Sequence, residues 1–222
     1  MPLTVVTGKY ETGSQEIKNE IIRILGNENP AYMYNIYFHW YNVVHEVGHA
    51  ICTYKITDEK IFYEQDFVKQ EVMVNDFAVA YWLYYGEKEK LEKLKAILSN
   101  VFKNITNPAP NMHYIDYAIA NWKNSDFWTY NNYGWFQFNC VNNSLSNPKT
   151  LEEILSCMSE KDIISQPKQL LKYTVNTEMA AKIVQDAVII INKWGIDLPP
   201  LFHVYSDDPF KQMCINTDWQ EP

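Results

Sequence analysis

Between Ala31 and Tyr54 the chain carries no proline and no glycine except Gly48, while Ile36, Trp40, Val43, Val44, Val47 and Ile51 recur at steps of three and four. That spacing predicts one long, largely buried helix, and a buried helix of this length obliges other elements to pack around it. A second apolar-periodic run from Phe67 to Gly86 predicts another long helix. Glu87 to Ile105, with Leu91, Leu94, Leu98, Val101, Phe102 and Ile105 on one side, predicts a third beside the first two. Ser14 is placed to cap a helix that runs through Ile17, Ile21, Ile22 and Leu25 to a stop at Gly26. Residues 112 to 122 read as helical, Thr150 opens a short helix with Glu152 and Glu153 in its first turn, and Thr177 to Trp194 forms a helix ended by Gly195. Phe127 to Val141, dense in aromatic residues around Gly134, fits either a strand pair or an aromatic-rich helix. Lys60 to Tyr63 has room for a short strand, and the tail from Asp197, with Pro199, Pro200 and Pro209, reads as irregular. The expected fold is mainly α, with α+β left open.

A chain of 222 residues suits a single domain, 1–222. Asn107-Pro108-Ala109-Pro110 marks the best internal division, between a helical core at 1–106 and a helical and aromatic part at 111–222. The net charge of -8 opposes the counterion-release term that drives nucleic-acid binding, so nucleic acid is excluded as a partner. No run approaches the length of a membrane span, and the apolar start Leu3 to Val6 is too short for a secretory signal, which together predict a cytoplasmic protein. Cys52, Cys140, Cys157 and Cys214 are scattered without a CxxC pair and read as reduced, mostly buried thiols.

The residues with chemistry lie inside the first long helix: His45-Glu46-Val47-Gly48-His49. Residues four apart share a helix face, so the two imidazoles can converge on one zinc ion while Glu46 reaches a water beside it as general base. At this chain's own His and Glu content, a chance match to HExxH has a probability under about one in a hundred. A catalytic zinc needs a third protein ligand. Glu71, 22 residues after His49 at the start of the second long helix, would be brought under the histidines by an antiparallel helical hairpin. Asp58, Glu59, Glu64 and Asp66 compete with it from an expected loop or strand. His39, six residues before His45, falls off the metal-facing stripe and reads as structural, and His203 in the tail has no evident role.

His45 to His49, followed by Glu71-Val72-Met73-Val74-Asn75-Asp76-Phe77-Ala78, resembles the gluzincin arrangement of HExxH and then ExxxN or ExxxD. More narrowly it is similar to the ImmA/IrrE-type metallopeptidases. The resemblance covers about residues 40–85. It implies a zincin-like core, zinc held by His45, His49 and Glu71, Glu46 as catalytic base, and Asn75 accepting the Nδ1 proton of a zinc histidine. It departs from that family at Met73 and Val74, at Tyr81 to Gly86, and in a short N-terminal segment that leaves room only for a reduced sheet. Metzincins are excluded by Cys52 and Lys55, which stand where a glycine and a third histidine belong.

A peptidase also needs a donor to the oxyanion that forms during hydrolysis, and His113, Tyr130 and Tyr133 are candidates by position. The aromatic run Tyr130 to Phe138 can equally line a substrate cleft. The expected function is a zinc-dependent peptidase acting on a peptide or protein, with the resemblance implying a specific regulatory protein as substrate. The alternatives are a regulatory or interaction protein that keeps the zincin fold without cleaving, and a zinc hydrolase of non-peptide bonds.

Overall fold

The computed structural model describes residues 3–53, 64–198 and 201–206. Within them the long apolar run is helical throughout, but in three sections. Asn29 adopts a left-handed φ of 55° and caps α1 (Pro30–Asn35) by accepting from the Tyr32 amide, with Pro30 in the first turn where its missing N–H costs nothing. A π-helical segment (Ile36–Tyr41) follows, and then α2 (Asn42–Thr53). All six residues of the π segment are buried, so it needs partners on every side rather than along one stripe. It has them: the Trp40 ring stacks on Trp82 at 4.4 Å, Tyr37 meets Phe138 at 5.1 Å, and His39 Nε2 faces the Gly8 carbonyl at 2.8 Å.

The second long helix, α3 (Glu64–Tyr84), runs antiparallel to α2, as the Trp40–Trp82 stack at one end and the approach of Gly48 to Val74 and Phe77 nearer the other require. Glu64 and Asp66 are therefore helical, not the loop or strand residues expected, because the helix begins three residues before the periodic run becomes apolar at Phe67. The expected strand at Lys60 to Tyr63, with Asp58 and Glu59, lies outside the described residues. The third long helix, α4 (Lys88–Asn104), buries Leu91, Leu94, Leu98 and Val101. It packs chiefly on α5 (Gln15–Leu25), the helix capped by the Ser14 side chain, and on α6 (Asn132–Ser146), and makes smaller contacts with α3 and the π segment.

The aromatic stretch left open resolves as helix. After α7 (Tyr114–Asn121) comes a 3-10 turn (Ser125–Trp128), and α6 then carries Trp135, Phe136 and Phe138 into the core against α3. Helix α8 (Leu151–Ser159) starts with a reciprocal capping box between Thr150 and Glu153 and lies on α3, while α9 (Thr177–Lys193) packs along α2 and the π segment. One hydrophobic cluster runs from Val5 to Leu198 and draws on both sides of the Asn107 to Pro110 break.

The chain is mainly helical, with one correction at its ends. The tail is not wholly irregular: β2 (Leu201–Ser206) pairs in parallel with β1 (Leu3–Gly8), Leu3 opposite Leu201 and Gly8 opposite Ser206. The prolines before Leu201 suggested irregular chain, yet both segments are rich in β-branched and aromatic residues suited to a strand. The cysteines also differ from expectation. Cys140 is buried, but Cys52 is only half-buried and Cys157 is exposed, none of the three forms a disulfide, and Cys214 lies outside the described residues. No helix among the described residues is long and apolar enough to cross a membrane.

Gly48 sets how closely α2 and α3 approach. A Cβ there would sit 3.0 Å from both the Phe77 ring and Val74 Cβ, and the latter is fixed to the backbone. In an open helix, Gly→Ala stabilises by about 1 kcal/mol. Here overpacking, which costs about 1–3 kcal/mol, opposes that gain. Gly48→Ala is expected to melt below the wild type in thermal denaturation followed by circular dichroism; a melting temperature raised by several degrees would show that the hairpin tolerates separation at this point.

Candidate metal centre

Helix α2 presents His45 and His49 one turn apart, and α3 brings Glu71 beneath them. All three are buried, at 4%, 9% and 5% exposure. The two Nε2 atoms face each other at 3.1 Å, with His45 Nε2 3.4 Å from Glu71 Oε2 and His49 Nε2 3.5 Å from Glu71 Oε1. Ligand atoms about 2.0–2.1 Å from a tetrahedral metal ion stand about 3.3 Å from one another. The three separations are near that value, the two to Glu71 running to different oxygens of its carboxylate, and the group could hold a metal ion.

The electrostatics point the same way. Burial pushes the Glu71 carboxyl up, but the facing His49 and His45 outweigh it and hold the group well below the usual carboxylate range. Burial pushes His49 down, and the Glu71 charge and hydrogen bond overcome this and leave it raised. The site thus stabilises positive charge between its ligands. A proton there serves one contact at a time, whereas a cation held among the three residues would be shared by all of them.

Glu46, the next residue after His45, is half-buried on α2, and its Oε1 accepts from Asn42 Nδ2 at 3.1 Å. Its charge reaches the site: it adds to Glu71 in raising His49 against the effect of burial, and adds to burial and Glu71 in raising Tyr133. Of the three proposed donors, the structure brings Tyr133 to the cluster. Its hydroxyl lies 3.5 Å from Glu71 Oε1, and burial first, then the Glu71 charge, push it well above the ordinary phenol value, so it stays protonated. His113 is exposed and caps α7, accepting from the Ile115 amide at 3.4 Å, and Tyr130 lines an open groove along α5 with Ser14, Ile17 and Arg23. Neither is brought to the histidines, because both fall in turns flanking α7 and α6 rather than on the face α6 turns toward α3.

Asn75 also differs from expectation. It contacts neither histidine: its Nδ2 donates to the Glu71 carbonyl at 2.8 Å and to Gln137 Oε1 at 3.2 Å, and its Oδ1 accepts from Tyr41 at 2.9 Å. One turn beyond Glu71, its side chain folds back along its own helix instead of crossing to α2. The Nδ1 atom of His45 consequently has no hydrogen-bond partner among the described residues. The residue that sequence reasoning missed is Gln137, whose Nε2 donates to Glu71 Oε2 at 2.7 Å and to the Tyr133 hydroxyl at 2.8 Å. Reading 127–141 as helix would have exposed it, since Tyr133 and Gln137 then share one face at a spacing of four. His39, expected to be structural, bonds the end of β1 through Gly8 and does not meet the cluster.

Protein equilibrated with a divalent transition metal and washed with a weak chelator is expected to retain about one ion per chain by elemental mass spectrometry, and Glu71→Ala to lose it. Equal retention by both would remove Glu71 from the ligand set. Comparison of the chain with models of protein families, with curated proteins and with solved structures finds no match.

Proposed function

We propose that this chain is a zinc-dependent peptidase of the zincin type, with His45, His49 and Glu71 as metal ligands and Glu46 as general base. The observation that carries the reading is the buried group of His45 Nε2, His49 Nε2 and the Glu71 carboxylate, which approach one another to 3.1–3.5 Å and whose two histidines bracket a glutamate on one helix. Two imidazoles and one carboxylate form a donor set of the catalytic zinc type, three protein ligands that leave a fourth position open. Zinc held there supplies Lewis-acid polarisation of a scissile carbonyl and lowers the pKa of an attacking water.

The chain's own residues do the rest. Glu46 takes the proton from the attacking water and delivers it to the leaving amine, with Asn42 holding its Oε1. Tyr133, kept protonated, is the donor available to negative charge developing on the carbonyl oxygen. The rings of Phe127 and Trp128 lie 5.7 and 4.9 Å from that of Tyr133 and pack against it. A peptide bond as the target, and a specific regulatory protein as the substrate, rest on the resemblance of the two helical motifs to ImmA/IrrE-type enzymes. A cytoplasmic setting fits the three described cysteines, none of them in a disulfide.

The test is zinc-loaded protein incubated with a degenerate peptide library, with cleavage read by mass spectrometry. Cleavage by the wild type is expected to fall about 100-fold or more in Glu46→Gln while zinc content stays the same. A zinc-loaded wild type that cleaves no member of the library, or a Glu46→Gln variant as active as the wild type, would favour the non-catalytic zincin-fold regulator.

A further inference from the structure

The hydrogen bonds around Gln137 fix which way its amide points. The Glu71 main-chain oxygen can only accept, so the Asn75 atom 2.8 Å from it is the nitrogen, Nδ2. That places Asn75 Oδ1 toward the Tyr41 hydroxyl at 2.9 Å and leaves the second Nδ2 proton for Gln137 Oε1 at 3.2 Å. The nitrogen end of Gln137 then faces Glu71 Oε2 at 2.7 Å and the Tyr133 oxygen at 2.8 Å, and its two N–H groups match these two acceptors. The opposite orientation would set a carbonyl against an ionised carboxylate with no proton between them. Both ends of the amide therefore agree.

We infer that Gln137 is a positioning residue of the metal site, whose locked amide fixes the Glu71 carboxylate and turns the Tyr133 hydroxyl proton away from itself, toward Glu71 in this structure and free to turn to a substrate oxygen. The inference rests on the metal-site reading given above. Tyr133 accepts from Gln137, so its own proton must go elsewhere, and Glu71 Oε1 at 3.5 Å is the acceptor it faces. The chain of bonds starts in the π segment at Tyr41, crosses α3 at Asn75 and reaches α6 at Gln137. Tyr41, Asn75, Gln137 and Glu71 are all buried, so water cannot take the place of a lost partner. Partners that orient a metal-binding carboxylate are worth about 10- to 100-fold in metal affinity.

A purely mechanical role, tying α6 to α3, can be separated from this one. Seven residues along α6, Ser144 donates to buried Asp76 at 2.5 Å, and Lys149 pairs with the same carboxylate at 2.7 Å, so the two helices are held together away from Glu71 as well. The experiment uses the full chain as wild type, Gln137→Met, which is closest in shape, Gln137→Leu as a second replacement, and Ser144→Ala. Zinc affinity is measured by competition with a chromophoric chelator, and the ligand field by the visible spectrum of the cobalt(II)-loaded protein. Folding is followed by circular dichroism.

The expected result is an about 10- to 100-fold loss of zinc affinity and a shifted cobalt band in whichever Gln137 variant folds. Ser144→Ala should melt lower yet keep the wild-type affinity and spectrum. Wild-type affinity and spectrum in a folded Gln137 variant would overturn the inference, as would an equal loss in Ser144→Ala or a failure of both Gln137 variants to fold. Wild-type protein that takes up neither zinc nor cobalt would instead overturn the metal-site reading itself, and this inference with it.

Discussion

The close approach of α2 and α3 at Gly48 is the constraint on which the site depends. Helix axes usually pack 8–10 Å apart, roughly, according to the side chains between them. With no side chain at Gly48, Val74 and Phe77 lie within contact of its backbone, and Glu71, one turn before Val74, is carried in toward the imidazoles on either side of that glycine. At the other end of the hairpin the Trp40–Trp82 stack sets the rotation of the two helices. Two contacts at separate levels fix both distance and phase, and so hold His45, His49 and the Glu71 carboxylate within 3.1–3.5 Å of one another. A π segment buried on every side continues directly into α2, so the histidines stand on a helix that cannot easily turn.

Burying a carboxylate and two imidazoles in an aromatic interior is costly unless every charge is answered. Glu71 is answered four times, by His45, His49, Gln137 and Tyr133. This exceeds what a helix hairpin needs to hold together, since Trp40, Val74, Phe77 and Trp82 already supply an apolar seam. Partners so concentrated on one side chain make sense for a group that must remain ionised and still. The Asp76 carboxylate, one residue after Asn75 and also buried, shows the contrasting case: the Ser144 hydroxyl and Lys149 hold it.

The helical content and the gathering of His45, His49 and Glu71 were legible because both follow from spacing along helices. Steps of three and four give the helices; His45 and His49 on one helix need only a spacing of four; and Glu71 follows once two long helices joined by a short segment are taken as a hairpin. What escaped is non-local or turns on side-chain direction. The β1–β2 pair joins the two ends of the described chain, a contact that periodicity does not encode. Asn75 shares a face with Glu71 as expected, yet whether an amide crosses to the next helix or folds back onto its own depends on Tyr41 and Gln137, which lie far from it in sequence. Tyr133 was one of three donors that position alone could not rank, and only the helical reading of 132–146 separates it from Tyr130 and His113.

The proline-marked break at Asn107 to Pro110 divides the sequence, but it does not divide the chemistry. Both helices that carry His45, His49 and Glu71 precede it, while the two side chains that hold Glu71 from below, Tyr133 and Gln137, follow it on α6. Residues up to 106 could in principle place two imidazoles and a carboxylate together, but the carboxylate would then have lost two donors and be exposed to rotamers that the complete structure forbids. The aromatic composition of α6 has a reason in the same terms. Trp135, Phe136 and Phe138 are buried with Gln137 on this helix, so the polar contacts of Gln137 form away from solvent. The later part of the chain therefore acts on the site through two hydrogen-bonding side chains, Gln137 and Tyr133, set in a buried helix.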